Sequence, residues 1–239
     1  MESSSEWMKT LGVCYMDKIY VIGVGPGSPD YITPMARKAV QNAHLVIGAE
    51  RALSLFLGDI KGEALPLTGK NVGEGLKYAI ESAKMGKTVA VLSTGDPGFS
   101  GLLRPVLNNI TEDVKVDVIP GISSIQICAA RLHICWDEID LFSFHEGASY
   151  EKMMRLAKAV KEGRNVMLLP DPKSFPPNEI AKFLINNEIS KETPVVICEN
   201  LTLPNEKIIM GTLESVLKLN FGPLCVMVIG GVIKTELLE

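Results

Sequence analysis

At 239 residues the chain can bury a sizeable core and has room for one large domain or two small ones. Its 46% hydrophobic and 22% charged residues describe an ordinary globular protein. A net charge of -4 gives no electrostatic ground for a nucleic-acid partner, although a locally basic pocket for a small anion remains compatible with it.

The opening "MESSSEWMKTLGVCY" carries neither a basic leader nor an apolar run of signal-peptide length, and residues 1–16 read as an N-terminal extension. Met16, which begins "MDKIYVIG", would itself make a natural start. From there short β-branched runs alternate with helical periodicity. The strand "KIYVIGV" precedes a helix over residues 33–42, "HLVIGA" a helix from residue 50, and a helix over 72–84 leads to "KTVAVLST". A helix over 101–109 and the strand "VKVDVIP" follow. Continuous apolar strands joined by helices predict a parallel sheet covered on both faces, so the fold class is α/β.

The second half reads differently. "DLFSF", "NVMLLP", "TPVVICEN", "EKIIMGTL" and "PLCVMVIG" are predicted strands, and the last three lie too close together for a crossover helix at each step. Antiparallel pairing and a mixed sheet follow. The change of sheet type predicts an N-terminal α/β domain over 17–118 and a C-terminal one over 119–239, with the break at "VIPG". The longest apolar stretch, "LCVMVIGGVI", is about half the length that spans a bilayer, so no membrane partner is expected. The five cysteines, Cys14, Cys128, Cys135, Cys198 and Cys225, form no CxxC pair, and four lie in apolar segments. They read as buried free thiols in a reducing cytoplasm.

Three turns could carry chemistry. The first, "VIGVGPGSPDYITP", places Gly23, Gly25 and Gly27 after a strand as a dinucleotide fingerprint would, and Glu50 imitates its acidic ribose residue. A nicotinamide cofactor is therefore one reading, and a ligand-free glycine turn another. Against the first, Pro26 has no N–H to donate and Pro29 biases Ser28 away from helix. The helix waits until Thr33 caps it, too far on to aim its dipole at a pyrophosphate. The second turn, "STGDPGFSG", also follows a buried strand and should open on the same carboxyl edge. Its one carboxylate, Asp96, either holds a ligand's ammonium or hydroxyl group or makes a local Asp-Pro turn. The third, "PGISSIQ", offers Ser123 and Ser124 as helix caps, ligand donors or both.

Taken together and in this order, the three turns resemble the tetrapyrrole methylase family, over nearly the whole chain from about Lys18 to Val232. The resemblance implies two α/β domains with a ligand cleft between them, and transfer of a methyl group from S-adenosylmethionine to an anionic tetrapyrrole. "IGAERAL", "ARLHICWDEIDLFSFH" and "ENLTLPNEKIIMGTL" resemble the branch that methylates C5 of cobalt-precorrin-7 in cobalamin biosynthesis. Other methyltransferases of the family, or a non-catalytic corrin-binding subunit, are the alternatives. The chain departs from the branch's pattern at Glu146 and Gly147, where Gly-Arg is usual, and at Asn200 and Thr202, where Arg and Gly are usual.

The same resemblance implies a donor site of Pro26 (through its carbonyl), Gly95, Asp96, Phe99, Ser123 and Ser124, closed over the adenine by Leu169 and Leu201. It also implies a cytoplasmic homodimer. In some relatives a decarboxylating methyltransferase is fused to this domain, and here that activity would come from another polypeptide. A polycarboxylate acceptor makes Arg37, Arg51, Arg104 and Arg131 candidate contacts. Methyl transfer from a sulfonium needs alignment more than proton transfer, and no metal. His145, at the end of "LFSFH", is the best titratable candidate for a catalytic base, although a structural hydrogen bond at a strand end is the more ordinary role for such a histidine. His44 and His133 read as structural.

Overall fold

A computed structural model describes residues 18–231, and the extension at 1–16, with Cys14, lies outside them. Its contacts cluster into two compact units, one of residues up to Gly25 together with Pro29–Gly121, the other of Pro26–Ser28 with the residues from Ile122 onward. The sequence places the break at 118; the contacts place it at Gly121 and assign one tripeptide of the first turn to the second unit.

The first unit runs β1 (Lys18–Gly23), α1 (Pro34–Gln41), β2 (Leu45–Ala49), α2 (Glu50–Ser54), β3 (Glu63–Leu67), α3 (Val72–Lys84), β4 (Val89–Ser93), α4 (Leu103–Leu107) and β5 (Lys115–Ile119). Its sheet has the order β3-β2-β4-β1-β5, and every pairing is parallel. Alternate residues of β1 serve opposite faces. Tyr20 and Ile22 pack with Ala36, Ala39, Val40 and Phe56 under α1 and α2, whereas Ile19 and Val21 pack with Leu76, Ala79, Ile80 and Ala83 of α3. Both faces are thus covered, as continuous apolar strands require, and each fully buried Leu or Ile contributes about 1.5–3 kcal/mol.

Helix α1 begins where the sequence predicts: the Thr33 hydroxyl accepts the Ala36 N–H at 3.1 Å, with Pro34 at the first helical position. Pro29–Tyr31 adds only one 3-10 turn before it. Helix α4 is shorter than its predicted span, because the chain ahead of it is drawn back when Ser93 Oγ accepts the Leu102 N–H at 3.1 Å. Strand β3, "EALPL", is unannounced by its composition. It lies at the sheet edge, where Pro66 is tolerated.

The second unit runs α5 (Ser124–Arg131), β6 (Asp140–Ser143), α6 (Tyr150–Lys161), β7 (Val166–Leu169), α7 (Pro177–Asn186), β8 (Pro194–Glu199), β9 (Lys207–Thr212), α8 (Leu213–Val216) and β10 (Cys225–Ile229). Its sheet, β6-β7-β10-β8-β9, pairs β6 with β7 in parallel and joins the remaining neighbours antiparallel. This is the mixed sheet that the close spacing of the last three strands requires. One face carries Phe142, Phe144, Leu168, Ile197 and Met227 with α6 and α7, and Phe144 meets Phe175 edge-on at 4.9 Å. Elsewhere in the unit the buried thiols of Cys128 and Cys198 lie 3.5 Å apart, and burial pushes the Cys225 thiol up to about 12. Cys135 is exposed. No described helix is long and apolar enough to cross a membrane.

In the first unit the backbones of Gly23 and Gly121 touch. A Cβ on Gly121 would lie 2.6 Å from Gly23 Cα, and one on Gly23 would lie 2.7 Å from the Gly95 carbonyl. Because rigid backbone surrounds that space, Gly121→Ala should destabilise the protein by about 1–3 kcal/mol, the usual cost of overpacking, read as a lowered midpoint in urea denaturation.

Candidate functional site

The parallel sheet fixes where the first unit presents its loops. Strands β1, β4 and β5 are adjacent and run the same way, so the turns after Gly23, Ser93 and Ile119 open together at their carboxyl ends. Backbone hydrogen bonds join the first two turns: Val24 N–H donates to the Ser93 carbonyl at 3.0 Å and Gly95 N–H to the Gly25 carbonyl at 2.8 Å. Gly95 holds a φ of +67°, which a side chain would resist.

Asp96 ties the second turn to the third. Its Oδ1 accepts the Gly98 N–H at 2.8 Å and its Oδ2 accepts the Gly121 N–H at 3.1 Å. The local-turn reading of Asp96 is therefore correct as far as it goes, and the carboxylate also bridges two loops. Each oxygen keeps acceptor capacity for a ligand. Phe99, half-buried, donates its N–H to the Asp96 carbonyl at 3.3 Å. Arg51, in the first turn of α2, reaches the same edge and donates to Thr94 Oγ1 at 3.2 Å, with no carboxylate partner among the described residues.

The second unit places the other expected residues. Ser123 is a helix cap, as its position ahead of the apolar run implies: its hydroxyl accepts the Ile125 N–H at 3.3 Å and its N–H donates to Gln126 Oε1 at 2.8 Å. Ser124 is the first residue of α5. Leu169, which ends β7, and Leu201, just after β8, are both buried. Pro26 is buried too. His145 is exposed beyond β6, its N–H donating to Ser143 Oγ at 3.3 Å. Nearby Asp171 titrates below the usual carboxylate range. Its partial burial works the other way, but hydrogen bonds from Lys173 and Ser174 and attraction to His145 outweigh it.

Two of the four candidate arginines are engaged in structural pairs. Arg37 is ion-paired with Asp59 and packs over Phe56, and Arg131 is held by Glu206 with Nε at 2.7 Å from Oε1. Arg104 is exposed on α4. His44 is structural as expected, with Nδ1 accepting the Thr88 N–H at 2.9 Å. The sequence reading does not single out Thr94 or Glu206; their partners lie 43 and 75 residues away, beyond any local pattern. Among the described residues no cluster of three His, Cys, Asp or Glu is placed to hold a metal ion.

A fold of two five-stranded sheets, one parallel and one mixed, with glycine turns gathered at a carboxyl edge, narrows the comparison to one class. The chain belongs to the tetrapyrrole (corrin/porphyrin) methylases, whose family model matches residues 18–217. It is 41% identical over 214 residues to the probable cobalt-precorrin-7 C(5)-methyltransferase of Methanocaldococcus jannaschii, which covers 89% of this chain and 98% of that protein. It is 32% identical to the cobalt-precorrin-7 C(5)-methyltransferase of Salmonella typhimurium, over 79% of this chain and 87% of that one. Among solved structures, the precorrin-6Y methylase of Archaeoglobus fulgidus is similar with a TM-score of 0.68 and 28% identity, covering 90% of this chain and 98% of its own. The uroporphyrin-III C-methyltransferase of Thermus thermophilus, solved with S-adenosylhomocysteine, shares the fold with a TM-score of 0.74 at 24% identity, over 91% of this chain and 99% of its own.

Since Asp96 accepts from two backbone N–H groups in different loops, Asp96→Ala should lower stability by about 1–3 kcal/mol. Asp96→Asn, which keeps one carbonyl acceptor, should lose less. Paired urea denaturation curves of the two variants check the order.

Proposed function

We propose that this chain transfers the methyl group of S-adenosylmethionine to C5 of cobalt-precorrin-7 in cobalamin biosynthesis. The observation that carries the reading is the 41% identity spread over 98% of the relative's length. The donor-binding residues are Pro26, Gly95, Asp96, Phe99, Ser123, Ser124, Leu169 and Leu201. Their chemistry suits such a ligand. Asp96 and the Pro26 carbonyl accept from an ammonium or ribose hydroxyls, and the two buried leucines offer apolar surface to a purine. The nicotinamide reading has less support, since the Pro29–Tyr31 turn intervenes before α1 and no long helix begins at the first glycine turn.

When bound, S-adenosylmethionine supplies an electrophilic methyl on a sulfonium that departs as a neutral thioether. The chain's residues then have to hold and orient. The turn at 94–99 is braced from within by Asp96 and fixes the donor side, and positioning of this kind supplies most of the rate in an in-line displacement. On the acceptor side Arg51 meets a carboxylate, because its guanidinium already stands at the loop edge with no carboxylate partner among the described residues. The enzyme works in the cytoplasm as a homodimer. Free thiols 3.5 Å apart at Cys128 and Cys198 support the reducing compartment, and exposed Ile208 and Met210 on edge strand β9 support self-association.

Calorimetric titration should show binding of S-adenosylhomocysteine and none of NADH, and single-turnover assay should show methylation of cobalt-precorrin-7. Binding of both ligands without methylation would assign the chain to a non-catalytic corrin-binding role instead. In the same assay His145→Ala should keep a substantial rate at saturating donor. Loss of about 10²–10⁴-fold, with loss of pH dependence near neutrality, would make His145 a required base.

A further inference from the structure

Thr202 has a backbone that its side chain disfavours. Its φ is +70°, in the left-handed region where β-branched residues are rare, and Asn200 two residues earlier has a φ of +51°. Asparagine tolerates that conformation; threonine does so only where its surroundings hold it. Those surroundings are specific. The Thr202 N–H donates to Glu206 Oε2 at 2.6 Å, and the Thr202 hydroxyl accepts the N–H of Ser28 at 3.1 Å, across 174 residues of sequence.

Glu206 is itself fixed. Arg131, the last residue of α5, donates from Nε to Oε1 at 2.7 Å and from its second nitrogen to Oε2 at 3.4 Å. The Arg131 bond also holds the Glu206 carboxyl below the usual glutamate range, so it stays an acceptor at neutral pH. Leu203 completes the seat: a Cβ on Gly27 would lie 2.8 Å from Leu203 Cδ2 and 3.3 Å from Thr202 Oγ1. The tripeptide Pro26–Ser28 is thus gripped from Thr202 and Leu203, which explains why its contacts belong to the second unit. An unstrained residue could close the loop after β8, but one without a hydroxyl would not offer the Ser28 N–H the acceptor it has here.

We propose that Thr202 is a positioning residue that sets the Pro26–Ser28 turn for the methyl donor, with Glu206 and Arg131 holding Thr202 in place. The inference rests on the reading that the Pro26 carbonyl meets S-adenosylmethionine. Three variants separate positioning from loop stability. Thr202→Ser keeps the hydroxyl, Thr202→Val keeps the shape without it, and Thr202→Gly removes the hydroxyl while relieving the left-handed backbone.

The probe is S-adenosylhomocysteine, measured by calorimetry on the full chain beside thermal melting. Thr202→Val and Thr202→Gly should each weaken binding about tenfold, the worth of one lost hydrogen bond, and Thr202→Ser should stay within about twofold of wild type. Thr202→Gly should melt no lower than Thr202→Val, so that weakened binding without matching loss of stability marks a positioning role. Should Thr202→Val fail to fold, the glycine variant, which suits this backbone, carries the comparison alone. Wild-type affinity in the glycine variant would overturn the inference and leave the donor reading standing. Absence of binding by wild type would overturn the donor reading, and the inference with it.

Discussion

The structure of the first unit depends on one steric constraint: at the carboxyl ends of β1 and β5, backbone meets backbone with no side chain between them. Gly23 and Gly121 are in direct contact, with the Gly95 carbonyl beside them. Three turns that belong to separate stretches of sequence can converge only if those positions lack a Cβ. Once they converge, Gly95 pairs with Gly25 and the Asp96 carboxylate can span from Gly98 to Gly121. The parallel sheet supplies the direction of the turns, and the glycines set how near they come.

That arrangement suits a reaction governed by alignment. A carboxylate whose two oxygens each hold a different backbone N–H is a rigid strut, and a rigid strut loses little entropy when a ligand binds against it. The same economy operates in the second unit, where the capping box of Ser123 and Gln126 fixes the start of α5 and the Arg131–Glu206 pair fixes its end. Asp96 and Ser123, expected from their chemistry to face a ligand, are committed first to the backbone. Each retains unused acceptor positions, so holding the fold and holding a ligand are compatible duties.

Much of the fold was legible because its signals are local. Thr33 with Pro34 marks a helix start by capping chemistry alone, and unbroken apolar runs such as "VAVLS" mark strands covered on both faces. The short spacing between β8, β9 and β10 sufficed to predict antiparallel pairing. Strand β3 was hidden because it is short, mostly exposed and interrupted by Pro66, as a loop would be, and only the edge position makes the proline tolerable. The candidate site was legible as turns and not as partners. Nothing near Asp96 in sequence announces Gly121, and nothing near Ser28 announces Thr202, since such contacts arise only when distant strands align. Arginines were the least readable: Arg37 and Arg131 look like anion contacts until Asp59 and Glu206 are placed beside them.

The long reach of the Ser28–Thr202 bond bears on how the chain is made. The N-terminal unit emerges from the ribosome first, and its parallel sheet can assemble as soon as β5 is free. Pro26–Ser28, however, has its main partners 174 residues downstream. At translation speeds of about 5–20 residues per second, that tripeptide waits on the order of ten to thirty-five seconds for its seat. During that interval a nascent chain can hold a finished sheet while its first turn is still unset, so the capacity to grip that turn arrives only once the segment around Thr202 has been made.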